Sequence, residues 1–147
     1  EGNGWSHKYA RRQWNLVDNK ELCYHFLGDF DKKMLEVIKS EPNFSDTLLQ
    51  EVWHNDLDQI LAFSRNDLLF VFNFSPSRSF SDYGFLVPYG VYNVVLNTDS
   101  WEYGGFGFVD ENVKHATLAD PLYEKEGKGW LKLYIPARSA LVLRKRK

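Results

Sequence analysis

Three pairs of neighbouring carboxylates are the residues of this chain best suited to acid–base chemistry: Asp29/Asp31, Asp56/Asp58 and Asp110/Glu111. Cleavage of a glycosidic bond uses two carboxyl groups about 5 to 9.5 Å apart, one of them with a raised pKa. The first pair lies two residues apart on a predicted helix, so its side chains diverge. The other two fall in predicted polar connections. We interpret all three pairs as solvated, and predict no catalytic residue in this chain.

The histidines and the single cysteine form neither a metal site nor a nucleophile pair. The four histidines are scattered at His7, His25, His54 and His115. Cys23 and His25 are only two residues apart on the predicted helix, so their side chains point in different directions. We therefore predict no metal and no cofactor. A lone cysteine cannot form an internal disulfide, which favours a reducing compartment and a cytoplasmic protein.

Two clusters of aromatic residues are better candidates for binding, because a flat ring can cover the apolar face of a glucose unit. The first cluster is interleaved with arginines and consists of Trp5, Tyr9, Arg11, Arg12 and Trp14. The second consists of Trp101, Tyr103, Phe106 and Phe108 around the run Gly104-Gly-Phe-Gly107. That run lacks the GxGxxG spacing of a phosphate-binding loop and is interpreted as a turn.

Packing is the competing interpretation of both clusters. Rings at Tyr9 and Trp14 could fill the space between a loop and a helix. Arg11 and Arg12 could pair with carboxylates outside this chain. For the cluster around Trp101, we expect packing in a core or an interface, because large aromatic residues are buried more often than they are exposed.

Composition excludes several classes of protein. The chain has 147 residues, of which 44% are hydrophobic and 16% aromatic, so it is no disordered tail. Its net charge is −2 with both signs mixed, which argues against a nucleic-acid partner. No apolar run approaches the roughly 18 residues that span a bilayer. The basic ending Arg144-Lys-Arg-Lys147 is interpreted as a solvated tail.

Hydrophobic periodicity predicts one helix followed by an antiparallel β domain. Asp18-Asn-Lys-Glu21 has the spacing of a capping box, so the helix should begin there and end before Pro42. Its apolar face is predicted to contain Cys23, Phe26, Leu27, Phe30, Met34, Val37 and Ile38. A linker around residues 41–45 and a short helical turn near residues 47–50 should lead to the first strand.

Seven strands are predicted from short apolar runs separated by turn residues. They cover residues 52–54, 59–65, 68–73, 84–87, 90–97, 130–135 and 140–143. Asn55-Asp-Leu-Asp58 and Arg65-Asn-Asp-Leu68 are predicted hairpin turns. Seven strands at this spacing predict a β-sandwich. Strand-like alternation also leads us to expect that most aromatic side chains point inward.

The sequence resembles the carboxy-terminal part of 1,4-α-glucan branching enzymes of glycoside hydrolase family 13. Residues 2–18 are similar to the loop after the eighth barrel strand of that family. Further similar segments follow in the family's order: Asp67-Leu-Leu-Phe-Val-Phe-Asn-Phe-Ser-Pro76, Ser79-Phe-Ser-Asp-Tyr-Gly84, Gly104-Gly-Phe-Gly107 and Pro136-Ala-Arg-Ser-Ala-Leu-Val142. The resemblance covers most of the chain.

The resemblance implies a mainly β chain in two parts. Residues 1–45 would be the last loop and final helix of a truncated (β/α)8 barrel, and residues 46–147 an α-amylase-type carboxy-terminal all-β sandwich. It also implies a parent enzyme that cuts an α-1,4-glucan, holds the cleaved piece as a glycosyl-enzyme and transfers it to a 6-hydroxyl, branching glycogen. The family's catalytic carboxylates lie on earlier barrel strands, so this chain alone is expected to be inactive and to brace the barrel.

The partners implied by the resemblance are an α-glucan, either glycogen or a maltooligosaccharide, and the missing catalytic barrel. The substrate-binding residues would be Trp5, Tyr9, Arg11, Arg12, Trp14 and Trp101. The apolar helix face, without its barrel, is expected to pack on the β domain or to mediate self-association. A free-standing carbohydrate-binding module and a purely structural β domain are the alternatives, and inward-pointing aromatic residues would favour the structural domain.

Overall fold

The structure, a computed structural model, describes residues 13–146. It begins with two helices, α1 (Asn15–Asp18) and α2 (Tyr24–Lys39). The predicted helix is confirmed, but its predicted start at a capping box is wrong. Asn19 accepts the backbone N–H of Glu21 at 3.0 Å, and its carbonyl accepts the N–H of Leu22 at 3.1 Å. These local bonds turn the chain between the helices, so α2 begins only at Tyr24.

Nine strands follow in the described residues: β1 (Gln50–Asn55), β2 (Ile60–Arg65), β3 (Leu68–Asn73), β4 (Phe80–Pro88), β5 (Val91–Asn97), β6 (Lys114–Ala116), β7 (Leu118–Ala119), β8 (Lys128–Ile135) and β9 (Ser139–Lys145). All seven predicted strands are present. The two that were missed, β6 and β7, are too short to show a period of two residues. The helical turn expected at residues 47–50 forms earlier, as a 3-10 helix at Phe44–Asp46.

Both predicted hairpin turns are confirmed. Arg65 pairs with Leu68 across a two-residue loop, in which Asn66 adopts a left-handed φ of 54°. Asparagine tolerates this conformation better than most residues, which explains its place there. In the first hairpin, the side chain of Asn55 accepts the backbone N–H of Asp58 at 3.0 Å.

The strands form an antiparallel β-sandwich, as the sequence predicts. One sheet has six strands in the order β1-β2-β3-β9-β5-β6, and the other has three in the order β4-β8-β7. Aliphatic side chains fill the space between the sheets. The buried set is Ile60, Ala62, Leu69, Val71, Phe85, Val87, Tyr92, Val94, Leu131, Leu133, Ile135, Leu141 and Leu143. Burial, with Asp67 nearby, raises the pKa of Tyr92 to about 12, and its hydroxyl donates to the Pro88 carbonyl at 2.9 Å.

A second, smaller core lies between α2 and the outer face of the six-stranded sheet. Val37 is buried there with Leu68, Leu96 and Val142, and Phe30 and Met34 pack against them. The expectation that the helix face packs on the β domain is therefore confirmed for these residues. In this structure the sandwich itself covers these side chains.

Polar contacts fix the segment between α2 and β1 to the sheet. The Nε of Arg144 lies 2.8 Å from the buried carboxylate of Glu41, and a second guanidinium nitrogen donates to Ser40 Oγ at 2.5 Å. Arg65 donates to the carbonyls of Thr47 and Ser45 at 2.7 and 2.9 Å. Arg144 is thus a structural residue of β9, and the interpretation of the basic ending as a solvated tail is wrong at this position.

Candidate functional site

The most exposed concentration of large rings lies in the connection between β5 and β6. We call residues 100–109 the aromatic loop. Trp101, Phe106 and Phe108 are 73%, 62% and 64% exposed, and the two phenylalanine rings stack with centroids 5.7 Å apart. These three residues do not lie in the sandwich core, and packing of the cluster in an interface stays a prediction. They are available to a ligand or to another protein surface.

A buried carboxylate holds the aromatic loop in shape. The side chain of Asp99 accepts the backbone N–H groups of Phe106, Phe108 and Val109 at 3.2, 2.5 and 3.2 Å, and its backbone carbonyl accepts that of Gly107 at 2.6 Å. The amide side chain of Asn97 in turn accepts the N–H of Asp99 at 2.8 Å. The exposed rings therefore stand on a fixed scaffold.

The glycines of the loop are required by close approaches, so their interpretation as a turn is confirmed. Gly104 and Gly107 have φ values of 75° and 67°, which favour glycine. A side chain at Gly105 would collide with the backbone of Asp99, and one at Gly107 with the indole of Trp101. The spacing Gly104-Gly-Phe-Gly107 thus marks a tight fold around Asp99.

The aromatic loop packs directly on α2. The ring of Tyr103 meets that of Phe30 edge to face, with centroids 5.3 Å apart, and Gly104 lies against Phe26. Burial, together with the nearby carboxylates of Glu102 and Glu111, raises the pKa of Tyr103. The loop and the first half of α2 therefore form one continuous surface.

Several apolar residues on the two helices, and at the residue before α1, are exposed. They are Trp14, Val17, Tyr24, Leu27 and Leu35, with Leu27 69% and Trp14 67% exposed. Gly28 of α2 lets Val17 of α1 approach closely. Of the predicted site residues, Trp14 and Trp101 thus both lie on elements that pack against α2. Trp5, Tyr9, Arg11 and Arg12 lie outside the described residues.

A cavity of about 350 Å³ adjoins the aromatic loop. Its wall includes Tyr103, Phe106 and Asp99 from the loop side and Arg138 from the turn before β9. A ring beside a guanidinium group is a combination that can contact both the apolar face and the hydroxyls of a sugar. Trp101 belongs to the same loop but does not line this cavity.

A polar aromatic cluster that sequence reasoning missed lies at the β1 edge. The indole N–H of Trp53 donates to the hydroxyl of Tyr83 at 3.1 Å, and that hydroxyl donates to Asp58 at 3.0 Å. Arg78 lies 3.5 Å from the same carboxylate. Burial, more than the hydrogen bond to Asp58, raises the pKa of Tyr83. No sequence signal links these residues, since they are brought together only by the pairing of distant strands.

The carboxylates of the three pairs are exposed or make local contacts in the part of the chain that the structure describes. Asp29 and Asp31 are both exposed on α2, and Asp58 is bonded to Tyr83 and Arg78. Asp110 accepts the backbone N–H of Asn112 at 2.9 Å, as a turn residue does. Within residues 13–146, no group of three or more His, Cys, Asp or Glu side chains is placed to hold a metal ion.

None of the helices described here is both long and apolar enough to cross a membrane.

Comparison with known proteins supplies the family. The chain is 39% identical to the 1,4-alpha-glucan-branching enzyme of Candida glabrata over 143 residues, which are 97% of this chain and 20% of that enzyme. Against the enzyme of Saccharomyces cerevisiae it is 40% identical over 142 residues, covering 96% of this chain and 20% of that protein.

A plant relative gives the same result. Identity to the 1,4-alpha-glucan-branching enzyme of Solanum tuberosum is 41% over 120 residues, covering 80% of this chain and 14% of that enzyme. The chain therefore spans about a fifth or less of the length of these curated relatives. Residues 52–146 match the family model of the alpha-amylase C-terminal all-beta domain, which coincides with the sandwich from β1 to β9. The chain belongs to this family of all-β domains.

Proposed function

We propose that this chain is the carboxy-terminal, non-catalytic part of a 1,4-α-glucan branching enzyme, and that it braces the catalytic barrel of the same protein. The observation that carries the proposal is the exposed apolar surface of α2, together with the exposed rings of the aromatic loop that packs on the same helix. A domain that works alone rarely leaves such a surface in water, because each large apolar side chain contributes roughly 1.5 to 3 kcal/mol when it is buried.

The relatives support the identity of the parent. They are branching enzymes by name, and this chain matches about a fifth of the yeast proteins. In the parent, we propose that the reaction transfers a cleaved α-1,4-glucan piece to a 6-hydroxyl, as in glycogen synthesis in the cytoplasm. Residues 1–45 would then belong to the end of the barrel and residues 46–147 to the brace. Trp5, Tyr9, Arg11, Arg12 and Trp14 would line a wall of the substrate groove.

A pair of activity assays tests this function. The purified chain should neither change the iodine colour of amylose nor release reducing ends, whereas the intact parent should shift the iodine spectrum without releasing sugar. The reason is that the acid, nucleophile and stabilising carboxylate of the family lie on barrel strands. Turnover by the chain alone that survives repurification would contradict the proposal.

A carbohydrate-binding module is the second candidate function, because Trp101 is exposed on the same loop as Phe106, which lines a cavity together with Arg138. Calorimetric titration of the chain with maltoheptaose distinguishes a carbohydrate-binding module from a brace. A module should bind saturably, and Trp101→Ala should abolish binding while Leu122→Ala, at an exposed residue in the connection between β7 and β8, should not. A brace should give no saturable signal with either protein.

A further inference from the structure

A cluster of polar and aromatic side chains occupies the open edge of the sandwich, where β1 and β4 come together as the outermost strands of the two sheets. We define the edge cluster as Trp53, Asp58, Arg78, Phe80 and Tyr83. Trp53 pairs with Ala62, which is buried between the sheets, so its side chain points toward the three-stranded sheet and away from the outer face of β1. Trp53 is nevertheless 45% exposed, and it is therefore accessible from solvent at this edge.

The orientation of the Trp53 ring is fixed before any ligand arrives. Its indole N–H donates to the hydroxyl of Tyr83 at 3.1 Å, and that hydroxyl donates in turn to Asp58 at 3.0 Å. Phe80 packs edge to face on Tyr83, with ring centroids 5.2 Å apart. An indole N–H bond lies in the plane of the ring, so it fixes the ring without covering either face. A ligand that stacks on this ring therefore loses little affinity to side-chain ordering.

Groups that can bind hydroxyls belong to the same network as the ring. The side chains of Asp58 and Arg78 are 27% and 49% exposed, and a guanidinium nitrogen of Arg78 lies 3.5 Å from the carboxylate. A second nitrogen donates to the carbonyl of Leu57, which leaves others of the five guanidinium N–H groups for a ligand. A flat ring beside a carboxylate and a guanidinium group matches the apolar face and the hydroxyls of a pyranose. The carboxylate disfavours an anion, so the chemistry indicates a neutral sugar.

The edge cluster and the aromatic loop lie at the same end of the sandwich. β3 ends beside the start of β9. The connections from β1 to β2 and from β3 to β4, which carry Asp58 and Arg78, therefore meet at that end. The connection that carries the aromatic loop leaves β5 there too, because the backbone N–H of Thr98 donates to the carbonyl of Ala140, near the start of β9, at 3.0 Å.

This end of the sandwich is also where α2 begins. Gly104 of the aromatic loop lies against Phe26 in the first turn of the helix, whereas Ser40, just after its last turn, bonds to Arg144 near the far end of β9. The active site of a (β/α)8 barrel lies at the carboxyl ends of its strands, which is the face where each following helix begins. If α2 is the final barrel helix, as proposed above, the edge cluster lies on the active-site side of the parent enzyme.

We propose that the edge cluster is an accessory binding site for the α-glucan chain on which the parent acts. Trp53 stacks on one glucose unit, and Asp58 and Arg78 bind its hydroxyl groups. The proposal rests on the proposed function, because the location on the active-site side follows from it. A glucan held at this site has a raised local concentration near the catalytic groove, so the site lowers the glucan concentration that the parent needs.

Native gels that contain glycogen test the site in the isolated chain, because they slow a protein even through contacts too weak to saturate in a titration. Glycogen should retard the wild type, and Trp53→Ala should remove most of that retardation. Trp101→Ala is the matched control, since Trp101 is an exposed tryptophan at the same end of the sandwich, and it should be retarded like the wild type. A wild type that glycogen does not slow would overturn the proposal, and so would retardation that depends on Trp101 and not on Trp53.

Arg78→Gln guards against a loss of folding in Trp53→Ala. The side chain of Arg78 is half exposed, so this variant should melt within a few degrees of the wild type. Because it removes guanidinium donors from the site, it should still reduce the retardation several-fold. Full retardation of a folded Arg78→Gln chain would overturn the proposal.

The intact parent gives an independent readout. Trp53→Ala should raise the KM for amylose several-fold and leave kcat unchanged, because the site holds the glucan away from the reacting bond, while Leu122→Ala should change neither. A parent without branching activity would refute the proposed function, and the gels would still report on the sugar site. An active parent whose KM does not respond to Trp53→Ala would overturn the accessory site alone.

Discussion

The sandwich interior and the outer surfaces of this chain use different kinds of apolar residue. Between the sheets, the buried side chains are almost all aliphatic, with Phe85 and Tyr92 as the aromatic exceptions. Most of the larger rings lie outside, as at Trp101 and Phe74. The contrast indicates that aliphatic packing fills the space between the sheets, while exposed rings such as Trp101 and Phe74 are available for contact with another surface. Each prediction below tests one side of this comparison.

The largest effect is expected inside the sandwich. Phe85 is 1% exposed, so Phe85→Ala should lower the free energy of unfolding by about 3 to 5 kcal/mol. The loss combines the buried apolar surface with the cavity that remains. Urea denaturation measures it, and Phe85→Leu should recover most of the loss. An effect as small as that of a surface ring would contradict the division between core and surface.

The scaffold of the aromatic loop should give an intermediate effect. Asp99→Ala removes the acceptor of three backbone N–H groups, and we expect a loss of about 2 to 3 kcal/mol because hydrogen bonds to a charged group contribute more than neutral ones. Hydrogen exchange should show faster exchange at residues 106–109. Asp99→Asn, which keeps one acceptor, should lose less; equal losses would mean that the carboxylate does not organise the loop.

Trp101 itself should matter little to the isolated fold. Because it is 73% exposed, Trp101→Ala should change the free energy of unfolding by no more than about 0.5 kcal/mol. If Trp101 were packed in a core, the same substitution would lower the free energy of unfolding by about 3 to 5 kcal/mol. The same urea experiment as for Phe85→Ala decides between them, and a loss in the larger range would restore the packing interpretation.

The smallest expected effect is a loss of stability at low pH that comes from His115 in β6. Burial lowers the pKa of His115 below 6.5, and its Nε2 lies buried without a partner. The unfolded chain therefore takes up this proton first, so the contribution of His115 to stability declines as pH falls through about 6.5. The hydrogen bond to Glu51 raises the pKa of exposed His54, so the contribution of His54 to stability increases as pH falls.

The contribution of His115 is isolated by comparing wild type with His115→Phe in urea at several pH values. The stability difference between the two proteins should change in favour of His115→Phe between about pH 7.5 and pH 5. A difference that stays constant with pH would show that His115 has the same pKa in the folded and unfolded chain.

The sequence predicted the strands better than it predicted what covers them. Alternation and turn residues were sufficient for the hairpin at Asn66 and for most strand positions. On β3, however, Leu68-Leu-Phe-Val-Phe72 is apolar at every position, so alternation cannot tell the sandwich face from the outer face. The expectation that aromatic residues point inward failed on β3 for this reason.

The surface that packs against α2 could not be predicted from the local sequence either. Its periodicity showed an apolar face but not which surface that face meets. The structure divides the apolar residues of the helix, with Val37 against the sandwich and Leu27 exposed. Which apolar residues of the helix are buried depends on long-range contacts such as that between Glu41 and Arg144. No spacing in the sequence predicts such contacts.

Hydroxyl-radical footprinting of the isolated chain and of the intact parent tests the central claim most directly, because it labels exposed rings at each position. If the outer rings contact the rest of the enzyme, labelling of Trp101, Phe74 and Leu27 should fall several-fold in the parent, while labelling of Leu122 should stay the same. Equal labelling of all four residues in the two proteins would contradict the claim that these surfaces brace the catalytic barrel.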